Sequence, residues 1–386
     1  MAPISPIRKF VNPELVYGIG ALGLAGQYAR SYGARRLLVV SDPGVIAAGW
    51  TGRVITSLDE AGMESVLFSA ISPNPRESEV MCGAELYGAA GCDAIVVIGG
   101  GSPMDCAKGI GIVSTNNCHI LECEGVDRVV HPMPPLICIP TTAGSAADVS
   151  QFAIITNSTQ RVKIAIISKS TVPDVALIDP QTTTTMDAHL TTCTGMDALV
   201  HAMEAYVSNA SSPLTDLHAL QAVRLISSNL VTAITEPCNL VARDAMMLAS
   251  LEAGLAFSNA SLGAVHAMAH SLGGFYDLPH GECNSMLLDH VVEYNFPTAV
   301  ERYRDIAAAM GIAASDLAPA ECLAALTGAI RKFRAIAGIT TTLSSAGVMP
   351  ENIPALAQKA MKDACMVTNP RRPTAQDIEA IYEKAL

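Results

Sequence analysis

The chain has 386 residues, enough for two domains with separate cores. Its net charge of -12, with no basic stretch to displace counterions, excludes a nucleic-acid backbone as partner. Hydrophobic residues make up 50% and charged residues only 16%, a surface poor in charge that favours burial between subunits, so a homo-oligomer is expected.

Eleven cysteines, an odd number without a C-x-x-C pair, read as reduced thiols and not as a disulfide framework or zinc knuckle. The opening M-A-P-I-S-P-I-R-K-F has no apolar core of signal-peptide length. A cytoplasmic protein is the expectation.

The first half alternates short apolar runs with helical patterns. Residues 37–40, 94–98, 136–139 and 175–178 are aliphatic runs that end at Asp, Gly or Pro, as suits strands buried on both faces of a parallel sheet. Residues 49–61 and 77–90 between them have helix-like spacing, so an α/β layered domain follows. Runs 152–156 and 162–168, on either side of N-S-T-Q, read as an added β-hairpin.

Three strand ends in this half suit a cofactor. In A-I-V-V-I-G-G-G-S-P-M-D-C-A-K a buried strand meets three glycines and a helix start, with Ser102 as N-cap, Pro103 at the first helical position and Asp105 three after the cap. Glycines Gly100 and Gly101 let the backbone approach a pyrophosphate, whose charge a helix N-terminus stabilises. This is not G-x-G-x-x-G, and a tight turn without ligand is the other reading. I-P-T-T-A-G-S-A-A-D follows the run 136–139 and offers the hydroxyls of Thr141, Thr142 and Ser145. Ligands in open α/β sheets bind beyond the carboxyl ends of strands, so the two loops reinforce each other. L-L-V-V-S-D-P-G ends in Asp42, which suits either an adenosine ribose or a simple turn.

The loop D-P-Q-T-T-T-T-M, from Asp179 to Met186, marks the expected boundary, giving an α/β domain over 1–183 and a helical domain over 184–386. Helical periodicity rich in Ala, Leu and Met covers 213–230, 242–256, 297–310, 318–337, 353–364 and 375–386. No repeat, low-complexity tract or long linker interrupts it.

Within the second half, T-G-M-D-A-L-V-H-A-M-E-A-Y places Asp197 and His201 four residues apart, on one face of a helix. S-L-G-A-V-H-A-M-A-H-S-L-G-G-F-Y-D-L-P-H-G repeats the spacing with His266 and His270, then adds His280 after a Gly-Gly break that lets it fold back. Residues 253–276 contain no Asp, Glu, Lys or Arg. That stretch has the length of a membrane span, but its Ser, Asn, two His and several Gly read as a buried helix, so no membrane insertion is expected. Each histidine taken singly reads more readily as a hydrogen-bonded interior residue than as a ligand. One Asp with two or three His suits Fe(II), Zn(II) or Mn(II) better than Ca(II) or Cu(I). The spacing does not separate His266 from His270 as ligands.

These motifs together, G-G-G-S-P-M-D, T-T-A-G-S, G-M-D-A-L-V-H-A-M-E and N-A-S-L-G-A-V-H-A-M-A-H-S-L-G-G-F-Y-D-L-P-H-G, resemble the iron-containing (group III) alcohol dehydrogenases, from the Asp42 strand to N-P-R at Arg371. The resemblance implies a dehydroquinate-synthase-like fold, with an α/β nucleotide-binding domain, an all-helical domain and a divalent metal in the cleft between them. It implies Asp197, His201, His266 and His280 as metal ligands and His270 as a non-ligand beside the nicotinamide. It also implies NAD contacts from Asp42, Asn74 in S-P-N-P, Gly100, Gly101, Ser102, Thr141, Thr142, Ser145 and Lys163, with acidic Asp42 favouring NAD over NADP. The sequence departs from the family's T-T-A-G-T-G-S-E at Ser145, Ala146, Ala147 and Asp148, and has Ala264 where Tyr is frequent. Phe257 and Cys365 fall in matching segments as pocket walls or as ordinary core.

The expected activity is NAD-linked interconversion of a primary alcohol and an aldehyde at Fe(II), with Zn(II) the alternative ion. The ion lowers the alcohol's pKa, and His270 relays its proton. A zinc-dependent polyol dehydrogenase on the same fold, and a nucleotide- and metal-binding sensor without turnover, are the competing readings.

Overall fold

Apolar runs without alternation form the middle of a six-stranded sheet in the computed structural model, which describes residues 7–386. The α/β elements are, in order, β1 (Glu14–Tyr17), α1 (Ala25–Ser31), β2 (Arg36–Val40), α2 (Pro43–Ala47), α3 (Trp50–Glu60), β3 (Glu64–Phe68), α4 (Glu77–Ala90), β4 (Ala94–Gly99), α5 (Gly101–Asn116), β5 (Gly125–Val126), β6 (Leu136–Pro140), β7 (Phe152–Asn157), β8 (Val162–Ile167) and β9 (Val175–Ile178). The strand order is β1-β9-β6-β4-β2-β3, and every pairing is parallel.

Both faces of that sheet are covered, as parallel sheets require. Leu38, Val40, Ile95 and Val97 enter one core with Val80 of α4 and Ile110 of α5. Their neighbours Leu37, Val39, Val96 and Ile98 enter the other, with Ala25 of α1 and Val54 of α3. Strands β1 and β3 were not expected: they lie at the two edges and are partly exposed, so their sequences lack a continuous apolar run. The expected hairpin is present as antiparallel β7 and β8, with β5 added in a three-stranded sheet. Buried Lys108 ties α5 to it, its Nζ donating to the carbonyls of Ser150 and Phe152, each at 2.8 Å. Burial holds that amine below its usual pKa.

The chain from β2 runs outward to β3 and then returns to the other side as β4. This reversal opens a crevice at the carboxyl ends of β2 and β4, the usual place for a ligand in such sheets.

A second set of elements is all helical: α6 (Ala188–Val207), α7 (Pro213–Thr235), α8 (Leu240–Ala260), α9 (Ala264–Tyr276), α10 (His280–Asn295), α11 (Val300–Ala309), α12 (Pro319–Ile336), α13 (Ile353–Ala360) and α14 (Ala375–Ala385). Ser212 with Thr215 starts α7, with Pro213 at its first position, and Thr374 with Asp377 starts α14, through reciprocal capping bonds. Helix α6 is buried almost all round from Thr191 onward, so it forms the unit's centre. One unit comprises Asn12–Asp187 with Pro237–Met247; the other comprises Ala188–Glu236 and Leu248–Leu386, with residues 7–11.

Three local expectations change. Residues Pro180–Thr185 form a 3-10 helix capped by Asp179 and not an open loop. Gly273 and Gly274 lie inside α9, which ends where Asp277 turns left-handed (φ 57°) and its N–H reaches the Gly273 carbonyl at 3.0 Å. His280 therefore opens α10 and is not a loop residue. The uncharged stretch 253–276 is likewise two helices, parted by Ser261 at φ 59°. No helix among the described residues is long and apolar enough to cross a membrane.

Candidate functional site

In the helical unit, the i, i+4 spacing on α6 stacks Asp197 and His201, while α9 and the first residue of α10 supply three further imidazoles. Three ring nitrogens converge on one oxygen: Asp197 Oδ1 lies 3.9 Å from His201 Nε2, 3.6 Å from His266 Nε2 and 3.6 Å from His280 Nε2. His201 stacks on His266 with ring centres 4.5 Å apart, and on Phe257 at 4.3 Å on its other side. Phe257 thus walls the cluster.

Charge and hydrogen bonding explain why a cation belongs here. Burial alone would raise the Asp197 carboxyl, but the surrounding His201, His280 and His266 outweigh it and hold the group well below the carboxylate range. Burial would lower His266, yet its bonds to Asp197 and Glu204 push it up to about 9. The cluster draws in positive charge, as protons or as a metal ion.

Asn284, one turn into α10, gives the sharper test. Its Nδ2 lies 2.6 Å from Asp197 Oδ1 and 3.2 Å from both His266 Nε2 and His280 Nε2. With the imidazoles deprotonated, as metal ligation requires, the two protons of the amide face three acceptors, while its own Oδ1 is buried without a hydrogen-bond partner among the described residues. Acceptors exceed donors, and the nitrogen and oxygen donor set fits a divalent Fe(II)- or Zn(II)-type ion.

Glu204 orients the cluster. Its carboxylate accepts from His266 Nδ1 at 2.7 Å, so that Nε2 is the nitrogen that faces Asp197 and that a metal ion would find on displacing its proton. It also accepts from the N–H groups of Gly263 at 3.1 Å and Val265 at 2.7 Å, and Asn369 Oδ1 takes that of Ala264 at 3.1 Å. The free amides at the start of α9 are thereby satisfied, two of them by a negative group at the positive end of the helix.

His270, one turn beyond His266, borders the cluster, its ring 6.1 Å from that of His266 and stacked on His280 at 5.3 Å. Its Nδ1 bonds Asp363 Oδ2 at 2.8 Å, which places it in a separate group with Asp363 and Cys365. Burial would raise Asp363, but the charge and hydrogen bond of His270 hold its carboxyl below the usual range. Burial pushes the Cys365 thiol well up, so it stays protonated.

In the α/β unit, the sequence-derived cofactor residues gather at the crevice. Asp42 follows β2, Gly100 and Gly101 follow β4, and Thr141, Thr142 and Ser145 follow β6, the strand beside β4. A Cβ on Gly100 would lie 3.1 Å from Thr142 Cγ2, and one on Gly101 would lie 3.0 Å from Ser145 Oγ. A side chain at either position would crowd these loops, and glycine keeps the backbone open between them. Asn74 belongs to the segment after β3, where the Pro73 carbonyl accepts from Ser102 Oγ. Lys163 pairs across the hairpin with Thr156, whose N–H reaches the Pro75 carbonyl at 2.8 Å.

One detail differs from the sequence reading, and another sharpens it. Helix α5 begins at Gly101 with Gly100 as N-cap, so Ser102 lies in the first turn and bonds Pro73 instead of capping. Pro103 is accommodated because the first amides of a helix lack partners within it. Asp42 caps α2, its Oδ1 accepting from Gly44 N at 2.8 Å and Val45 N at 3.0 Å, which accounts for one carboxylate oxygen. The sequence reading did not single out Glu204, Asn284 or Asp363; position seven after Asp197 is the only local hint of Glu204.

A parallel α/β unit followed by a helical unit with a buried Asp and His cluster is the dehydroquinate-synthase-like architecture with a candidate metal site. Residues 12–180 match the iron-containing alcohol dehydrogenase family and residues 191–386 match the C-terminal part of the Fe-containing alcohol dehydrogenase family. The chain belongs to the iron-containing alcohol dehydrogenases. It is 40% identical to a 1,3-propanediol dehydrogenase of Citrobacter freundii over 96% of both chains. It is 38% identical to an NAD-dependent methanol dehydrogenase of Bacillus methanolicus, over 98% of this chain and 99% of the other. The solved structure of a 1,3-propanediol oxidoreductase superposes with a TM-score of 0.95 at 39% identity, covering 99% of this chain and all of that one.

Proposed function

We propose that this alcohol dehydrogenase interconverts small primary alcohols and aldehydes with NAD, using Fe(II), or Zn(II) in its place, held by Asp197, His201, His266 and His280. The observation that carries the reading is the meeting of three Nε2 atoms at Asp197 Oδ1, in a buried cluster whose charge balance draws in a cation. Relatives named for 1,3-propanediol and methanol support a short primary alcohol as substrate.

When bound, the ion supplies Lewis acidity toward the alcohol oxygen and NAD accepts the hydride. The chain's residues handle charge and proton. Asp197 gives the ion an anionic partner, and Glu204 fixes the His266 tautomer that faces it. His270 Nδ1 is bonded to Asp363, whose carboxyl is held below its usual range, so Nε2 is the ring nitrogen left to take the alcohol's proton. Stacked rings and Phe257 exclude water. At the crevice, Gly100, Gly101, Ser102, Thr141, Thr142, Ser145, Asn74 and Lys163 hold the dinucleotide, and the Asp42 charge at the end of β2 repels a 2′-phosphate. The units divide at Asp187/Ala188, four residues after the boundary expected from sequence, and a homo-oligomer in the cytoplasm completes the reading, supported by a composition only 16% charged and by eleven free cysteines.

Anaerobic purification, metal analysis, and NAD and NADP assays over alcohols of increasing length test it. About one Fe or Zn per cluster with NADH formation from short alcohols is the expected result. Turnover in the absence of any metal would refute it.

A further inference from the structure

A second group of ligand-capable side chains lies along the same helix, outside the cluster just described. His189, Cys193, Asp197 and His201 follow one another at steps of four, so α6 carries an unbroken stripe of donors. The stripe runs from an exposed end to a buried one: the His189 side chain is 67% exposed and that of His201 6%. The upper pair, His189 and Cys193, is joined by Glu282 from the first turn of α10.

Gly281 is what brings these elements together. A Cβ there would lie 2.2 Å from the Cys193 carbonyl oxygen, so only glycine lets α10 approach α6 this closely. His280 then points to Asp197 and Glu282 to His189. Cys193 Sγ lies 3.6 Å from His189 Nε2, and His189 Nε2 lies 3.0 Å from Glu282 Oε1. Tetrahedral zinc, with bonds of about 2.3 Å to sulfur and about 2.0–2.1 Å to nitrogen, separates those two ligand atoms by roughly 3.5 Å. The observed sulfur–nitrogen distance already matches.

We propose that His189, Cys193 and Glu282 form a second, solvent-accessible site for a zinc-type divalent ion, separate from the Asp197 cluster. Thiolate, imidazole and carboxylate are the donors that borderline transition metals select over Mg(II) or Ca(II). Three protein ligands leave one position open to water. Binding releases the Cys193 thiol proton to solvent as the sulfur takes up the metal. The ordinary alternative is an exposed His–Glu ion pair with a thiol weakly bonded beside it.

Anaerobic titration of the full, metal-free chain with Co(II) separates the two. The expected result is one equivalent per chain that develops thiolate-to-cobalt absorption in the near ultraviolet. Cys193→Ser and His189→Ala should each abolish that absorption, while Asp197→Asn should keep it and lose the inner equivalent. His189 is exposed, so its variant tests the site without disturbing the core. No thiolate absorption in the wild type, or undiminished absorption in either Cys193→Ser or His189→Ala, would overturn the proposal.

Discussion

Glu204 holds His266 through Nδ1 at 2.7 Å with the same carboxylate that closes the start of α9. One buried acid therefore fixes both where the helix begins and which imidazole nitrogen faces Asp197. Glu204→Gln replaces an acceptor oxygen with a donor among donors. Metal affinity, measured by chelator competition, should fall roughly 10- to 100-fold. Glu204→Ala should also lower thermal stability, since each buried N–H left unsatisfied costs about 1–3 kcal/mol. Unchanged affinity in both variants would remove Glu204 from the site.

Metal removal should destabilise the protein. An ion present at about a hundred times its Kd stabilises by roughly 2.7 kcal/mol, which for units of this size is about 5–10 °C in Tm. Scanning calorimetry with and without chelator should show that loss. Asp197→Asn, which removes the anionic member of the cluster, should show the lower Tm in both conditions and carry neither metal nor activity. A metal-replete, active Asp197→Asn enzyme would contradict the assignment.

What the sequence disclosed follows from the range of the interactions involved. Strands β2, β4, β6 and β9 were legible because burial on both faces leaves an unbroken apolar run, whereas edge strands β1 and β3 carry polar residues such as Glu14 and Glu64. The stacking of Asp197 with His201 follows from helical spacing alone. Asn284 and Asp363 were not legible, because the first meets Asp197 across 87 positions and the second meets His270 across 93. Gly273 and Gly274 misled for a related reason: packing of α9 in the core outweighs a glycine penalty of about 1 kcal/mol each.

His270 and His266 lie one turn apart on α9 but have different partners, Asp363 and Glu204. His270→Ala should therefore keep its metal and lose turnover by roughly a hundredfold to ten-thousandfold, the range for general acid–base groups. His266→Ala should lose both. Metal content and kcat measured on the same preparations decide the matter: a metal-free His270→Ala protein would make that residue a ligand.

Asp42 combines two roles that substitution can separate. Its Oδ1 caps α2 through Gly44 and Val45, and its charge stands at the end of β2 beside the glycine turn, where a Cβ on Gly99 would lie 3.4 Å from Oδ2. Asparagine caps as well as aspartate, so Asp42→Asn should leave Tm nearly unchanged. Removing the charge should raise kcat/KM with NADP relative to NAD, because the 2′-phosphate no longer meets a carboxylate. Asp42→Ala should show the same change in cofactor preference together with a stability loss of about 1 kcal/mol. If both variants kept the wild-type preference, Asp42 would be a helix cap alone and the nucleotide would be discriminated elsewhere.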